Sequence, residues 1–356
     1  MSEWFRKTFL YAEIGRNEYD SLHERISAEN LAKLRVYSLI CSFMMFIISL
    51  ISYFVTGLIA SDNTKIYLLT LAGFLLIYFF SRIFDPSDSI KISLMMYLFI
   101  FIAYAFAFSI SLKHADLPAV SAIVMLFVVP LIFVDRPINI TLSTIIAMIV
   151  YIALCRVFKP YEVFKDDAWN TLTYGILAIV ASYFIIIMKI HSLKQTIDIA
   201  YFSKYDLLTG IKNRNSFENE YLKLLGTYKE TIACIYADAN CLHELNNSKG
   251  HEAGDNMLKT IAEYMSAEFG SEHGYRTGGD EFVFFVLDKP ADGLEEKVRK
   301  IKTALEKKGY DCSFGFAVSG TSLDDVSSLV KDAEQFMYKD KSLYYQQPEN
   351  IKRRRR

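Results

Sequence analysis

Over the first half of the chain, apolar positions run together instead of alternating with polar ones. Six stretches, at 36–59, 66–84, 90–112, 119–134, 138–158 and 172–190, approach or exceed the ~20 apolar residues that carry a helix across roughly 30 Å of hydrocarbon. The fourth is the shortest and contains Pro130, which predicts a kinked or little-tilted pass. Six such runs separated by short polar breaks argue against buried helices of a water-soluble protein and predict an all-α, six-helix membrane domain over 36–190. The first 35 residues are polar, with no short apolar core and small-residue cleavage site ahead of the first span, so no cleavable leader is expected.

Helical spacing continues on both flanks. Leu22, Ile26, Leu31 and Leu34 allow an amphipathic helix within the N-terminal segment 1–35. Leu193, Ile197 and Ala200 suit a helical linker over 191–205, either a seam for a partner helix or a plain spacer. Lysine and arginine set orientation. Arg6, Lys7, Arg16, Arg25, Lys33 and Arg35, then Arg82 and Lys91, then Arg136 fall on one side. Lys65 and Lys113 fall on the other, together with Arg156, Lys159 and Lys165, the one discordant group. The balance predicts a multi-pass protein of the cytoplasmic (inner) membrane with both termini cytoplasmic.

Beyond 205 the runs shorten. Strands are predicted at 232–238, 274–277, 281–287 and 312–319, and helices at 214–225, 254–269, 294–308 and 326–341, an α+β pattern with helices on an antiparallel sheet. Hydrophobic residues make up 52% of the whole, yet charge gathers at the two ends of the sequence, and the net charge of −1 gives no reason to expect a nucleic-acid partner. Cys41, Cys155, Cys234, Cys241 and Cys312 have no paired spacing and read as reduced thiols. Arg353, Arg354, Arg355 and Arg356 close a basic tail, 346–356, expected to be solvated.

Candidate chemistry concentrates in Arg276-Thr277-Gly278-Gly279-Asp280-Glu281-Phe282, between two predicted strands. Glycine lets the backbone take positive φ and admits a bulky anion, and the carboxylates are hard oxygen ligands of the kind Mg²⁺ takes when it also holds nucleotide phosphates. Alone, this describes an ordinary hairpin turn too. Other blocks accompany it in order. Asp206-Leu207-Leu208-Thr209-Gly210-Ile211-Lys212-Asn213-Arg214 comes first. Ile232-Ala233-Cys234-Ile235-Tyr236-Ala237-Asp238 is an apolar strand ending in a carboxylate, followed by Ala239-Asn240-Cys241-Leu242-His243-Glu244-Leu245-Asn246-Asn247 and Gly250-His251-Glu252-Ala253-Gly254-Asp255. Ser313-Phe314-Gly315-Phe316-Ala317 and Ala333-Glu334-Gln335-Phe336-Met337-Tyr338-Lys339-Asp340-Lys341 complete the set.

Together these blocks resemble the diguanylate cyclases, the GGDEF-domain family, over roughly 203–345. The resemblance implies a ferredoxin-like cyclase domain over 206–345 that joins two GTP into cyclic di-GMP with release of two pyrophosphates. It implies Mg²⁺ (or Mn²⁺) on Asp238, Asp280 and the Ala239 carbonyl, with Glu281 at a second metal position or assisting proton removal. Mutual repulsion among such carboxylates is costly without a cation. Asn246 and Asp255 match the guanine readers: an amide and a carboxylate can contact the Watson–Crick edge and the N2 amino group that adenine lacks. Leu242 and His243 line the substrate site and Lys341 matches a phosphate-contacting lysine. Each domain holds half the chemistry, so a homodimer is implied. Asp206 and Arg214 are expected to tie the linker to the domain through an ion pair.

Departures from the family pattern are equally specific. His243 stands where lysine is usual, Tyr345 where arginine is common, and Asn240, Leu242 and Asn247 replace Asp, Phe and Asp. Histidine does not supply the constant charge of lysine at neutral pH. Phe269-Gly270-Ser271-Glu272 carries neither the arginine nor the aspartate of the family's product-inhibition site. The leading expectation is a membrane-bound cyclase controlled through its membrane domain. The alternative is a catalytically silent GGDEF domain that binds GTP or a partner as a signalling module. A transporter is disfavoured, because the predicted spans are expected to lack the buried ionisable residues that usually mark an ion or substrate path.

Overall fold

The computed structural model describes residues 3–54, 63–288, 293–320, 323–347 and 350; of the expected basic tail, 346–356, all but 346, 347 and 350 lies outside the described residues. The chain divides into two compact units, Met1–Thr196 and Ile197–Arg356.

The first unit is helical: α1 (Glu3–Phe5), α2 (Arg16–Ser21), α3 (His23–Phe54), α4 (Thr64–Ile83), α5 (Ser89–Lys113), α6 (Val120–Val128), α7 (Pro137–Phe158) and most of α8 (Tyr161–Phe202). Five of these, α3, α4, α5, α7 and α8, are long and apolar enough to cross a membrane by length and composition. Instead of forming a separate amphipathic helix, Ile26, Leu31 and Leu34 are buried at the start of the first long one, with Leu22 buried just ahead of it, because nothing in 23–35 breaks its backbone ladder. Serine and threonine hydroxyls inside the apolar helices satisfy themselves on the preceding turn, as Ser42 does on Ser38 (2.7 Å) and Thr144 on Ile140 (2.8 Å).

The fourth expected span departs from the rest. α6 covers 9 residues and tightens into a 3-10 turn, Val129–Leu131, at Pro130, which has no N–H to continue the helix. At ~1.5 Å per residue this piece is too short to cross hydrocarbon alone. Its flanks are held by side chains of other elements. The Ala119 N–H donates to Asp167 Oδ1 (2.9 Å) beside the α7–α8 connection, and the Val134 N–H donates to Asn30 Oδ1 (2.9 Å), whose amide returns a bond to the Val134 carbonyl (2.6 Å). Five residues after Asn30 on α3, Arg35 donates to the Ser81 and Phe84 carbonyls at the C-terminal end of α4. The short helix therefore has both of its flanks pinned by side chains of other elements.

The discordant charge cluster also finds an explanation. Lys159 Nζ lies 2.7 Å from Asp167 Oδ2 with both side chains at 0% exposure, and also donates to the Leu117 carbonyl (3.0 Å). Further hydrogen bonds on both partners are what a buried ion pair requires. Lys165 pairs with Glu162 (2.6 Å), and Arg156 lies over the Tyr161 and Phe164 rings. Because α8 begins at Tyr161, eleven residues before the apolar run that predicted it at 172, Asp167 is part of the bundle.

The second unit is an α+β domain. Its sheet contains β1 (Lys212–Asn213), β2 (Thr231–Asn240), β3 (Gly274–Arg276), β4 (Glu281–Leu287) and β5 (Asp311–Gly320) in the order β1-β3-β4-β2-β5. β2 pairs antiparallel with β4 and β5, and β3 with β4; β1 pairs parallel with β3, so the sheet is mixed where an antiparallel one is expected. Helices α9 (Arg214–Glu220), α10 (Leu242–Lys249), α11 (His251–Phe269), α12 (Leu294–Glu306) and α13 (Val326–Gln346) surround it. Both faces of β2 are covered, which explains its unbroken apolar run. Ala233, Ile235, Ala237 and Ala239 face the core with α11 and α12, while Ile232, Cys234 and Tyr236 pack with Leu329, Ala333 and Met337 of α13. α13 rests on the backbone of β5: a Cβ at Gly315 would stand 2.1 Å from the Met337 nitrogen and 2.2 Å from the Ala333 oxygen. All five cysteines are free thiols.

Candidate active site

The site forms where β2 ends. Asp238 is register partner of Glu281 on one side and of Ser313 on the other. One bond fastens the Gly278-Gly279 turn to that end and two more close the turn on itself. The Ala239 N–H donates to the Asp280 carbonyl (2.9 Å), the Thr277 N–H to the Glu281 carbonyl (3.0 Å), and the Arg276 guanidinium to the Gly279 carbonyl (2.6 Å). Arg276 also grips both carboxylate oxygens of Asp206 (3.0 and 3.2 Å). The expected Asp206–Arg214 pair does not form. Arg276 reaches Asp206 from β3, and Arg214 bonds Glu218 one turn along α9 (2.8 Å).

Asp238 is 3% exposed, and the Lys341 ammonium from α13 lies 2.6 Å from its Oδ1. Burial raises the carboxyl to about 6; Lys341 opposes the rise, and the nearby Asp280 and Glu281 charges add to it. Glu281 folds back over the turn and accepts from the Tyr236 hydroxyl at Oε2 (3.3 Å). Gly278 makes that fold possible, since a Cβ there would stand 2.8 Å from the same oxygen. Burial, and then the Glu281 charge, push the Tyr236 phenol well above its ordinary value.

The remaining expected residues follow along the next two helices. Cys241 takes a left-handed conformation (φ 58°) to turn the chain into α10, which carries Leu242, His243 and Asn246. The Asn246 amide oxygen is buried without a hydrogen-bond partner among the described residues and lies against α11, where a Cβ at Gly254 would come within 2.0 Å of it. Asp255 is the next residue, exposed to solvent. His243 is exposed too, with Nδ1 3.2 Å from the Asn247 amide; among the described residues its hydrogen bond goes there and not to the acidic group.

The structure therefore gathers Asp238, Ala239, Asp280, Glu281 and Lys341 at one strand end and sets Leu242, His243, Asn246 and Asp255 on the helix pair that follows. The donors are oxygen atoms, and a buried carboxylate with acidic neighbours suits a hard dication. No group of three His, Cys, Asp or Glu side chains among the described residues could hold a metal, so a backbone carbonyl or a ligand atom is needed to complete the set. Tyr236 is the contact that motif reading missed. Its signal was period two: on β2 it shares a face with Asp238.

Residues 203–345 match the profile described as "Diguanylate cyclase, GGDEF domain". This part of the chain belongs to the GGDEF family. Similar proteins include diguanylate cyclase DgcN of Escherichia coli K12, 34% identical over 33% of this chain and 29% of that protein. An uncharacterized membrane protein of Staphylococcus epidermidis is 23% identical over 49% of each chain. The crystal structure of the GGDEF domain of DgcB from Caulobacter crescentus, in complex with c-di-GMP, covers 39% of this chain and 91% of its own at 20% identity and a TM-score of 0.36. The chain spans no more than about half the length of the curated relatives named.

Proposed function

We propose that the protein is a membrane-bound diguanylate cyclase, with the bundle of α3 to α8 embedded in the cytoplasmic membrane, both termini in the cytoplasm, and cyclase output set by the membrane domain. The observation that carries the reading is the buried Asp238 beside Asp280, Glu281 and Lys341, at a strand end closed by the Gly278-Gly279 turn. In the proposed reaction the 3′-hydroxyl of one GTP attacks the α-phosphorus of the other and pyrophosphate leaves; the reciprocal attack closes the ring and releases the second. Asp238, Asp280 and the Ala239 carbonyl would hold Mg²⁺ or Mn²⁺, which when bound supplies charge neutralisation at the phosphates. Lys341 moves from Asp238 to a phosphate oxygen, Glu281 takes the hydroxyl proton or completes the metal set, and Asn246 and Asp255 read guanine. Two GTP-loaded domains must meet, so the active species is a homodimer.

Asp280→Ala tests the reading in the full chain held in lipid nanodiscs with GTP and Mg²⁺. Pyrophosphate release should vanish while the melting temperature stays the same or rises, since one member of a repulsive cluster is gone. Retained release would reject the assignment.

A second reading has its own observation: the His243 ring engages Asn247 in place of the usual lysine, favouring a domain that binds GTP without turnover. GTP binding by the parent with no pyrophosphate release, and release on His243→Lys, would select it.

A further inference from the structure

Tyr236 lies on the inner face of β2, 7% exposed, among Cys234, Val283, Phe285 and Met337. A phenol placed in such apolar surroundings needs a partner for its hydroxyl, or it carries the cost of an unmade bond. Its partner is Glu281 Oε2. Two independent features of the chain bear on that oxygen: the hydroxyl donated from β2, and the bare Cα of Gly278, which leaves room for it where a Cβ would stand 2.8 Å away. One carboxylate oxygen is thus committed, leaving the other for the reacting hydroxyl or a metal.

We propose that Tyr236 is a positioning residue for Glu281, fixing which carboxylate oxygen serves the reaction. The proposal rests on the cyclase reading above and on the part given there to Glu281. A bond stretched to 3.3 Å from a neutral donor to a charged acceptor is a modest one, so removing it should cost turnover about three- to ten-fold and no more. Because the ring, not the hydroxyl, fills the core, Tyr236→Phe keeps the packing.

The test uses the full chain in nanodiscs and begins with the parent. If the parent releases no pyrophosphate from GTP, the cyclase reading fails and takes this proposal with it. With an active parent, Tyr236→Phe should lower kcat about three- to ten-fold while leaving KM for GTP and the melting temperature unchanged. An unchanged kcat, or a loss shared by KM and melting temperature, overturns the proposal. Glu281→Asp supplies the second arm, since the shorter side chain withdraws the carboxylate from the hydroxyl. Adding Tyr236→Phe to Glu281→Asp should cause no further fall in kcat. A further fall equal to that in the parent would show that the tyrosine acts independently of Glu281, which overturns the proposal as well.

Discussion

A buried carboxylate and its counter-charge dominate the site at the scale of single residues. Asp238 stood out in the sequence because an apolar run stops there at an acid, and Asp280 because it follows two glycines just ahead of another apolar run. The partner of Asp206 did not, since that ion pair follows the sheet order and Arg276 on β3 is far from it in sequence, while Arg214 takes the local acid Glu218 on its own helix. The raised carboxyl of Asp238 has a consequence for stability. A carboxylate whose folded pKa, about 6, exceeds its unfolded value near 3.9 stabilises the fold below that lower value and loses its contribution as pH rises through 6, up to about 3 kcal/mol. In chelator, protection of the β2 amides against hydrogen exchange, corrected for intrinsic rates, should therefore fall between pH 5 and pH 7. Mg²⁺ with GTP should suppress the fall and Asp238→Asn should remove it. An equal decline in Asp238→Asn would assign the effect to other groups.

Among the elements, the strongly periodic ones were readable and the ones defined by tertiary contact were not. β4 and the start of α12 fall where the pattern predicts them. α10 went unpredicted because two apolar residues, Leu242 and Leu245, are all that its buried face requires, and its first residue follows a left-handed cysteine that no motif announces. α8 gains its early turns from the Lys159–Asp167 pair, which hydropathy alone counts as an interruption. α13 is the element on which the site most depends, since it brings Lys341 to Asp238 by resting on Gly315. Gly315→Ala should force helix and strand apart at the backbone, at a cost on the order of 3 kcal/mol. Protection of β5 and α13 should drop together in hydrogen exchange. Preserved protection in both would show that the contact can relax.

Over the whole molecule, a bundle of apolar helices and a GGDEF domain share one chain, and the division between them was visible as a change in apolar pattern near residue 190. The pinned flanks of α6 were not visible, because they depend on side chains such as Asn30 and Asp167 that lie far from it in sequence. The proposed six alternating passes predict that a cysteine at Ser87 is shielded from an impermeant maleimide in intact cells and that one at Asp116 is labelled. The opposite pattern, or labelling of both, would break the topology. The central claim, that this site turns over GTP, is tested most directly by mass analysis of what the full chain in nanodiscs makes from GTP and Mg²⁺. The account predicts cyclic di-GMP with two pyrophosphates for each molecule formed; GTP recovered intact, or only GDP and phosphate, would contradict it.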